Sequence, residues 1–498
     1  MFSVESQEGV YFQSSWKTER SVKDSVAQTS EIITYEADVQ VIQKLDAEVQ
    51  TEEEKEPQLT IGHDISQNLI NFMLNVYPDV SKQLDANTRS HAFDGYDVDW
   101  EEKSSSVSCE YQLINSDQEE QLQVTGLSWN STGSVIAASY GRLDHEDWCT
   151  HKSSLCTWNL DRKTLNANKP DTTVDLSSCL MTISFHPVLP ALVAGGTFNG
   201  EVLLWDLSKE DDMLIGSSGM GSDSHREPVT KVLWIIDPDS KGKKYQILSA
   251  SGDGKVLLWQ APSQGSQDLK LVGGYLLQTG AMPRSMRVSK AKGDAEMGVT
   301  TVSFSHEDKT LFVMGSEAGG IFKCSINSRG PPLSTTSSSV ALKSPVTFAF
   351  APHFGPVFSV ECSPFHRNLF VTCGTDGSIR IYTMLQSKPL LSLEPGAGYL
   401  FKVCWSPVRP LVFSVVTADG RLLIYDLKTN HINPVTTIEA SQNKKPVYSM
   451  EFNRQRLQLI ATGDSEGVIK IWRLNDDLTT QRSQELDILN DLANTQAE

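Results

Sequence analysis

The sequence predicts an all-β fold, a seven-bladed β-propeller preceded by a largely disordered acidic arm with one amphipathic helix. Three observations predict it. A short pattern, a turn residue and Gly followed five positions later by an aromatic, recurs through residues 105–478. The charge is uneven: residues 1–103 hold 21 acids and 8 bases, against 41 and 35 in the other 395. One segment between the arm and the repeats has a helical period. These divide the chain into an arm (1–60), a helix and linker (61–104), the propeller (105–478) and a tail (479–498).

The repeats come first, because a periodic chain misread as a single domain is misread throughout. Asn199-Gly200 leads to Trp205, Asp253-Gly254 to Trp259, Asp376-Gly377 to Tyr382, Asp419-Gly420 to Tyr425 and Glu466-Gly467 to Trp472. Two weaker copies are Ala318-Gly319 leading to Cys324, and Ser153 leading to Trp158 without the Gly. Ahead of each turn lie an apolar strand, such as 401–405, and a strand of small and β-branched residues, such as 191–196. Asp-Gly admits positive φ and favours a tight hairpin. Short runs bounded by such turns are strands.

This grammar resembles the WD-repeat family, with Trp205-Asp206 as the intact dipeptide. Seven copies imply seven blades, since a single blade cannot bury both faces and a closed ring can. The family's Gly-His dipeptide is missing, which speaks against the hydrogen-bonded His–Asp network it supports. The last copy ends at its third strand, 468–472. Its fourth must come from elsewhere, and residues 107–113 have the right alternation to latch the ring. The segments 209–228, 285–298 and 328–344 read as loops, and Leu486, Ile488, Leu489 and Leu492 as a short C-terminal helix or a frayed end.

Residues 1–60 bury too little apolar surface to offset ordering. Three β-prone pieces interrupt them: Ala27-Gln28-Thr29, Val39-Gln40-Val41 and Val49-Gln50-Thr51. Such pieces can add as a strand to a partner's sheet edge. Asp64 and Gln67 then form a capping box. Ile65, Leu69, Phe72, Met73 and Val76 fall on one helical face, which packs either on the propeller or on a partner. Tyr77-Pro78 ends or kinks the helix, and Val80 and Leu84 can continue the stripe.

Arm, strand motifs, helix and propeller together resemble the dynein intermediate chains, most of all those of the ciliary retrograde motor, and most clearly in the propeller and around Ala92-Phe93-Asp94-Gly95-Tyr96. The resemblance implies a noncatalytic motor subunit of the cytoplasm, cytoskeleton and cilium. Its propeller would dock on the dynein heavy chain, at a site unknown from sequence. Val49, Gln50 and Thr51 would anchor the small-hub light chain, with the pieces at 27–29 and 39–41 as weaker sites. Ile65, Leu69, Phe72, Met73 and Val76 would hold the roadblock light chain. A t-complex-type light chain and a second intermediate chain complete the partners. The alternatives are a substrate receptor of a cullin-type ubiquitin ligase and a generic scaffold. The ligase class often carries Trp-Asp-x-Arg at a blade end, which none of the blade ends matches.

A net charge of −19 opposes a broad grip on nucleic acid or anionic lipid. There is no apolar run of 18 residues to insert in a membrane. No phosphate-binding loop, GxSxG, HExxH or paired-Cys zinc spacing occurs, so no catalytic residue, cofactor or metal is expected. Asp144, His145, Glu146, Asp147, Cys149, His151 and Cys156 are of metal-binding types. Their spacing matches no known site, and they read as a polar loop in the first blade's long hairpin.

Overall fold

A computed structural model describes residues 67–89, 107–118, 121–145, 148–237, 240, 244–262, 266–281, 295–328, 333 and 339–495. The chain divides into two units, Met1–Val98 and Asp99–Glu498. In the first, the described element is the helix α1, Gln67–Arg89, with Pro78 inside it. The helix therefore continues past the proline where the sequence suggested an end or a kink. Pro removes one backbone donor, and Ser81-Lys82-Gln83-Leu84 beyond it resume the turns. Among the described residues no helix is long and apolar enough to cross a membrane.

The second unit is a ring of seven four-stranded antiparallel sheets. The first blade runs Gln123–Trp129, Val135–Gly141, Ser153–Asn159 and Thr172–Leu176. The next five repeat that meander. The seventh takes Val447–Phe452, Leu459–Asp464 and Ile469–Leu474 from the end of the chain, and Val107–Leu113 from before the first blade. Val107 pairs with Leu474 and Leu113 with Ile469, with an irregularity between Cys109 and Tyr111. The latch expected from sequence is in place, and it covers the open edge of Ile469–Leu474.

Blade-to-blade packing supplies the core. Leu113, Val124, Tyr140 and Trp158 bury against Ala461, Ile469 and Ile471, which joins the two ends of the ring. Glycines stand where blades approach: a Cβ on Gly196 would meet Val229 Cγ1 at 2.3 Å, and one on Gly463 would meet Val124 Cγ1 at 2.4 Å. The segment 209–228, expected as a loop, contains the second blade's outer strand, Leu214–Ser217. Within 285–298 and 328–344 the positions 285–294, 329–332 and 334–338 lie outside the described residues. The C-terminal segment forms Asp476–Thr479 and Glu485–Asn494. Leu489 and Ala493 of the latter join the core of the fifth and sixth blades.

Candidate functional site

The turns between second and third strands line one face of the ring, and buried polar networks fix two of them. In the third blade, Asp253 sits 3.2 Å from His225 Nδ1, and His225 Nε2 sits 2.7 Å from Ser249 Oγ. Trp259 Nε1 donates to the same hydroxyl at 2.8 Å. In the fifth blade, Asp376 sits 2.9 Å from His353 Nδ1, and His353 Nε2 is 2.8 Å from Thr372 Oγ1. The expectation drawn from the missing Gly-His dipeptide is thus overturned: Ser224 and Pro352 precede these histidines, and the His–Asp networks form regardless. The signal that was available is the distance from His to the turn Asp, 28 residues in one case and 23 in the other. Hydrogen bonds from His225 and two backbone amides outweigh burial and hold Asp253 down to about 2.

Around the axis, the inner strands enclose a cavity of about 580 Å³. Lys231, Lys402, Glu361, Glu451, Arg454 and His306 line it. Burial raises both carboxyls, and Lys402 with burial lowers Lys231. His306 is pulled down to about 4 by burial, then by Arg454 and Lys309. Exposed aromatics stand before two inner strands: Phe354 is 90% exposed, and Tyr399 55%. Arg380 lies over the Phe354 ring at 5.8 Å. Sequence periodicity missed both, because they fall between elements.

Of the sequence-predicted anchors, Val49, Gln50, Thr51, Ala27, Gln28, Thr29, Val39, Gln40, Val41 and Ile65 lie outside the described residues. Leu69, Phe72, Met73 and Val76 all fall on α1. Phe72 is 62% and Met73 60% exposed, and Val76 is half-buried. Val80 and Leu84 carry the stripe on past Pro78, so 69 to 84 spans roughly 22 Å at 1.5 Å per residue. The polar hairpin of the first blade separates in space. Cys156 goes to the third strand, where Asn115 Nδ2 donates to its sulfur at 3.3 Å. His145 and Cys149 meet Cys179, which begins the second blade and which the sequence cluster did not include.

The WD domain, G-beta repeat family matches residues 344–383. That stretch runs from the fourth blade's outer strand, Val346–Ala349, through the fifth blade's third strand, Ile379–Thr383. Over longer reach the chain is similar to "Cytoplasmic dynein 2 intermediate chain 2" of Mus musculus, 44% identical over 96% of this chain and 90% of that protein. The Homo sapiens protein of the same name is 45% identical over 85% of this chain and 78% of its own. "Dynein intermediate chain 3, ciliary" of Heliocidaris crassispina is 28% identical over 72% of this chain and 55% of its own. With a match of that identity over nearly the whole chain, the chain belongs to the dynein intermediate chains, in the cytoplasmic dynein 2 group.

Proposed function

We propose that this chain is the noncatalytic intermediate chain of a cytoplasmic dynein 2 motor and serves retrograde intraflagellar transport and cilium assembly. The observation that carries the reading is the 44% identity over 96% of the chain, which includes the arm as well as the propeller. The propeller docks on the heavy-chain tail. The arm binds the light chains: Val49-Gln50-Thr51 takes the small-hub type, and α1 takes the roadblock type through Leu69, Phe72, Met73 and Val76. A t-complex-type chain binds the same arm. Each dimeric light chain has two equivalent grooves and ties this arm to that of a second intermediate chain. The second attachment is then intramolecular, which raises avidity without new contacts. The protein works in the cytoplasm and cytoskeleton, at the axoneme and the basal body.

Affinity purification with mass spectrometry tests this. The full chain should recover dynein heavy and light chains. A fragment 105–498 should keep the heavy chain and lose every light chain, and 1–104 should do the reverse. Recovery of a ubiquitin-ligase adaptor in place of dynein subunits would overturn the assignment.

A further inference from the structure

We propose that the first blade binds a structural zinc ion through Cys149 Sγ, Cys179 Sγ, His145 Nε2 and His151 Nδ1. Three of these residues lie in the long hairpin between Val135–Gly141 and Ser153–Asn159. Cys179 immediately precedes the second blade's first strand, Leu180–Phe185. The donor atoms of His145, Cys149 and Cys179 all lie within 4.8 Å of one another. His151 Nδ1 is 4.0 Å from Cys149 Sγ, and its ring stacks on that of His145 with centroids 5.0 Å apart. Tetrahedral zinc, with thiolate bonds of about 2.3 Å and imidazole bonds of about 2.0 Å, holds its donors roughly 3.3–3.8 Å apart. Bringing the donors of His145, Cys149 and Cys179 to that spacing needs shifts of about one ångström, and the His151 ring, which stands outside that group, has to turn toward it.

Proximity is not the only sign. Both sulfurs are placed as acceptors of backbone N–H bonds. The Cys179 amide donates to Cys149 Sγ at 3.2 Å, and the Arg142 amide donates to Cys179 Sγ at 3.3 Å. Such bonds orient and stabilise a thiolate, and they are the outer contacts a metal-bound sulfur uses. His145 Nε2 is buried with no hydrogen-bond partner among the described residues. A ring nitrogen in that position is costly unless its lone pair has a ligand. The frame is held independently of any ion: the Cys149 amide donates to Asn199 Oδ1 at 3.0 Å, and Asn199 Nδ2 donates to the Cys149 carbonyl at 2.9 Å.

Charge and donor type select the ion. Two thiolates and two neutral imidazoles balance a dication, so the buried site carries no net charge. Sulfur and imidazole suit zinc and not calcium or magnesium, and four protein donors leave no open corner for catalysis. The ion would tie the 142–152 hairpin to the second blade. A disulfide between Cys149 and Cys179 would make a similar tie, but it would leave both histidines without a role.

The test uses the full chain, purified under reducing conditions and assayed by elemental mass spectrometry. We expect about one zinc per chain. Cys149→Ser, Cys179→Ser, His145→Ala and His151→Ala should each lose it to a chelator that the unsubstituted protein withstands, and Cys156→Ser should retain it. Cobalt titrated into chelator-treated, unsubstituted protein gives a second reading that does not depend on any variant folding. Thiolate charge-transfer bands with tetrahedral d–d bands support the site. A spectrum of hydrated cobalt overturns it. So do zinc retention by both Cys variants and peptide mapping that finds metal-free Cys149 disulfide-linked to Cys179.

Discussion

Arg409 and Glu485 stand 76 positions apart and meet in a buried ion pair that fastens the C-terminal helix to the sixth blade. Their side chains are 1% and 0% exposed. Arg409 Nε donates to Glu485 Oε1 at 3.0 Å, Nη2 to Asp426 at 2.9 Å, and Nη1 to the Asp477 carbonyl at 2.8 Å. One guanidinium thus serves two carboxylates and a carbonyl.

Removing that cation should unlatch the tail. Arg409→Met keeps much of the side chain's bulk but leaves Asp426 and Glu485 buried without their partner. Breaking a buried pair from one side costs about 3–5 kcal/mol. Thermal unfolding should show a single earlier transition, and limited proteolysis should release residues beyond Asn475 first. An unchanged Tm would mean that water replaces the arginine.

Two tryptophans at equivalent blade positions should respond differently to the same change. Trp259 pairs with Ile247, and Trp158 with Ile136. Two residues beyond each pairing partner lies Ser249 in the third blade but Ala138 in the first. Trp259 Nε1 therefore has a hydroxyl to bond, whereas buried Trp158 Nε1 has no hydrogen-bond partner among the described residues. Trp259→Phe should lose about 1 kcal/mol more than Trp158→Phe, because it alone breaks a made bond. Equilibrium urea unfolding of the two variants measures the difference.

The latch is tested by deletion. Without residues 107–113 the strand Ile469–Leu474 would expose a full row of unpaired backbone groups, along with the Trp472 and Ile471 side chains that lie beside it. Arg473 also loses the two-pronged contact with Glu110, at 2.9 and 3.0 Å, though an exposed pair contributes little. The truncated protein should elute as aggregate in size-exclusion chromatography and melt earlier. Monomeric behaviour with an unchanged Tm would show that the ring closes without the strand.

Acid should weaken the propeller through His306. Its folded pKa of about 4 lies below the ordinary histidine value, so the unfolded chain binds its proton first. The stability it contributes is complete above about pH 6.5 and falls away as pH drops toward 4. His306→Asn should flatten that part of the curve, as read by Tm between pH 7 and 4. An unchanged slope would place the acid sensitivity elsewhere.

What was legible in the sequence was whatever repeats or alternates. The turn glycines and closing aromatics fixed the blade count, and residues 107–113 alternated clearly enough to be placed on the seventh blade. Individual side-chain contacts between residues far apart in sequence were not legible. Nothing about Arg409 marks it as the partner of Glu485. Nothing about Cys179 marks it as the neighbour of Cys149, since it falls outside the hairpin that holds the other three donors. The His225 and His353 networks were missed for another reason: the dipeptide was taken as the signal, whereas the geometry needs only a His at the correct remove from the turn Asp. At Pro78 local propensity allows either an end or a kink, with the stripe continuing at Val80 and Leu84, and one lost backbone bond does not end the helix.

That helix supplies the last prediction. Pro78 takes a backbone donor from the middle of α1, and most helical stability in proteins comes from packing of an apolar face. The stripe of Leu69, Phe72, Met73 and Val76 therefore gains most of its order from a partner, which we take to be the roadblock light chain. Phe72 has the largest ring on the stripe and is its natural anchor. Phe72→Asp places a charge where an apolar ring would be buried, so it should cost about 2–4 kcal/mol, or a hundredfold or so in affinity. Co-purification should show the roadblock chain lost, while the small-hub chain, which we propose Gln50 anchors, stays and the propeller's Tm does not move. A propeller that melts earlier would instead mean that the stripe packs on the blades. Undiminished roadblock recovery would shift the anchor past Pro78, to Val80 and Leu84.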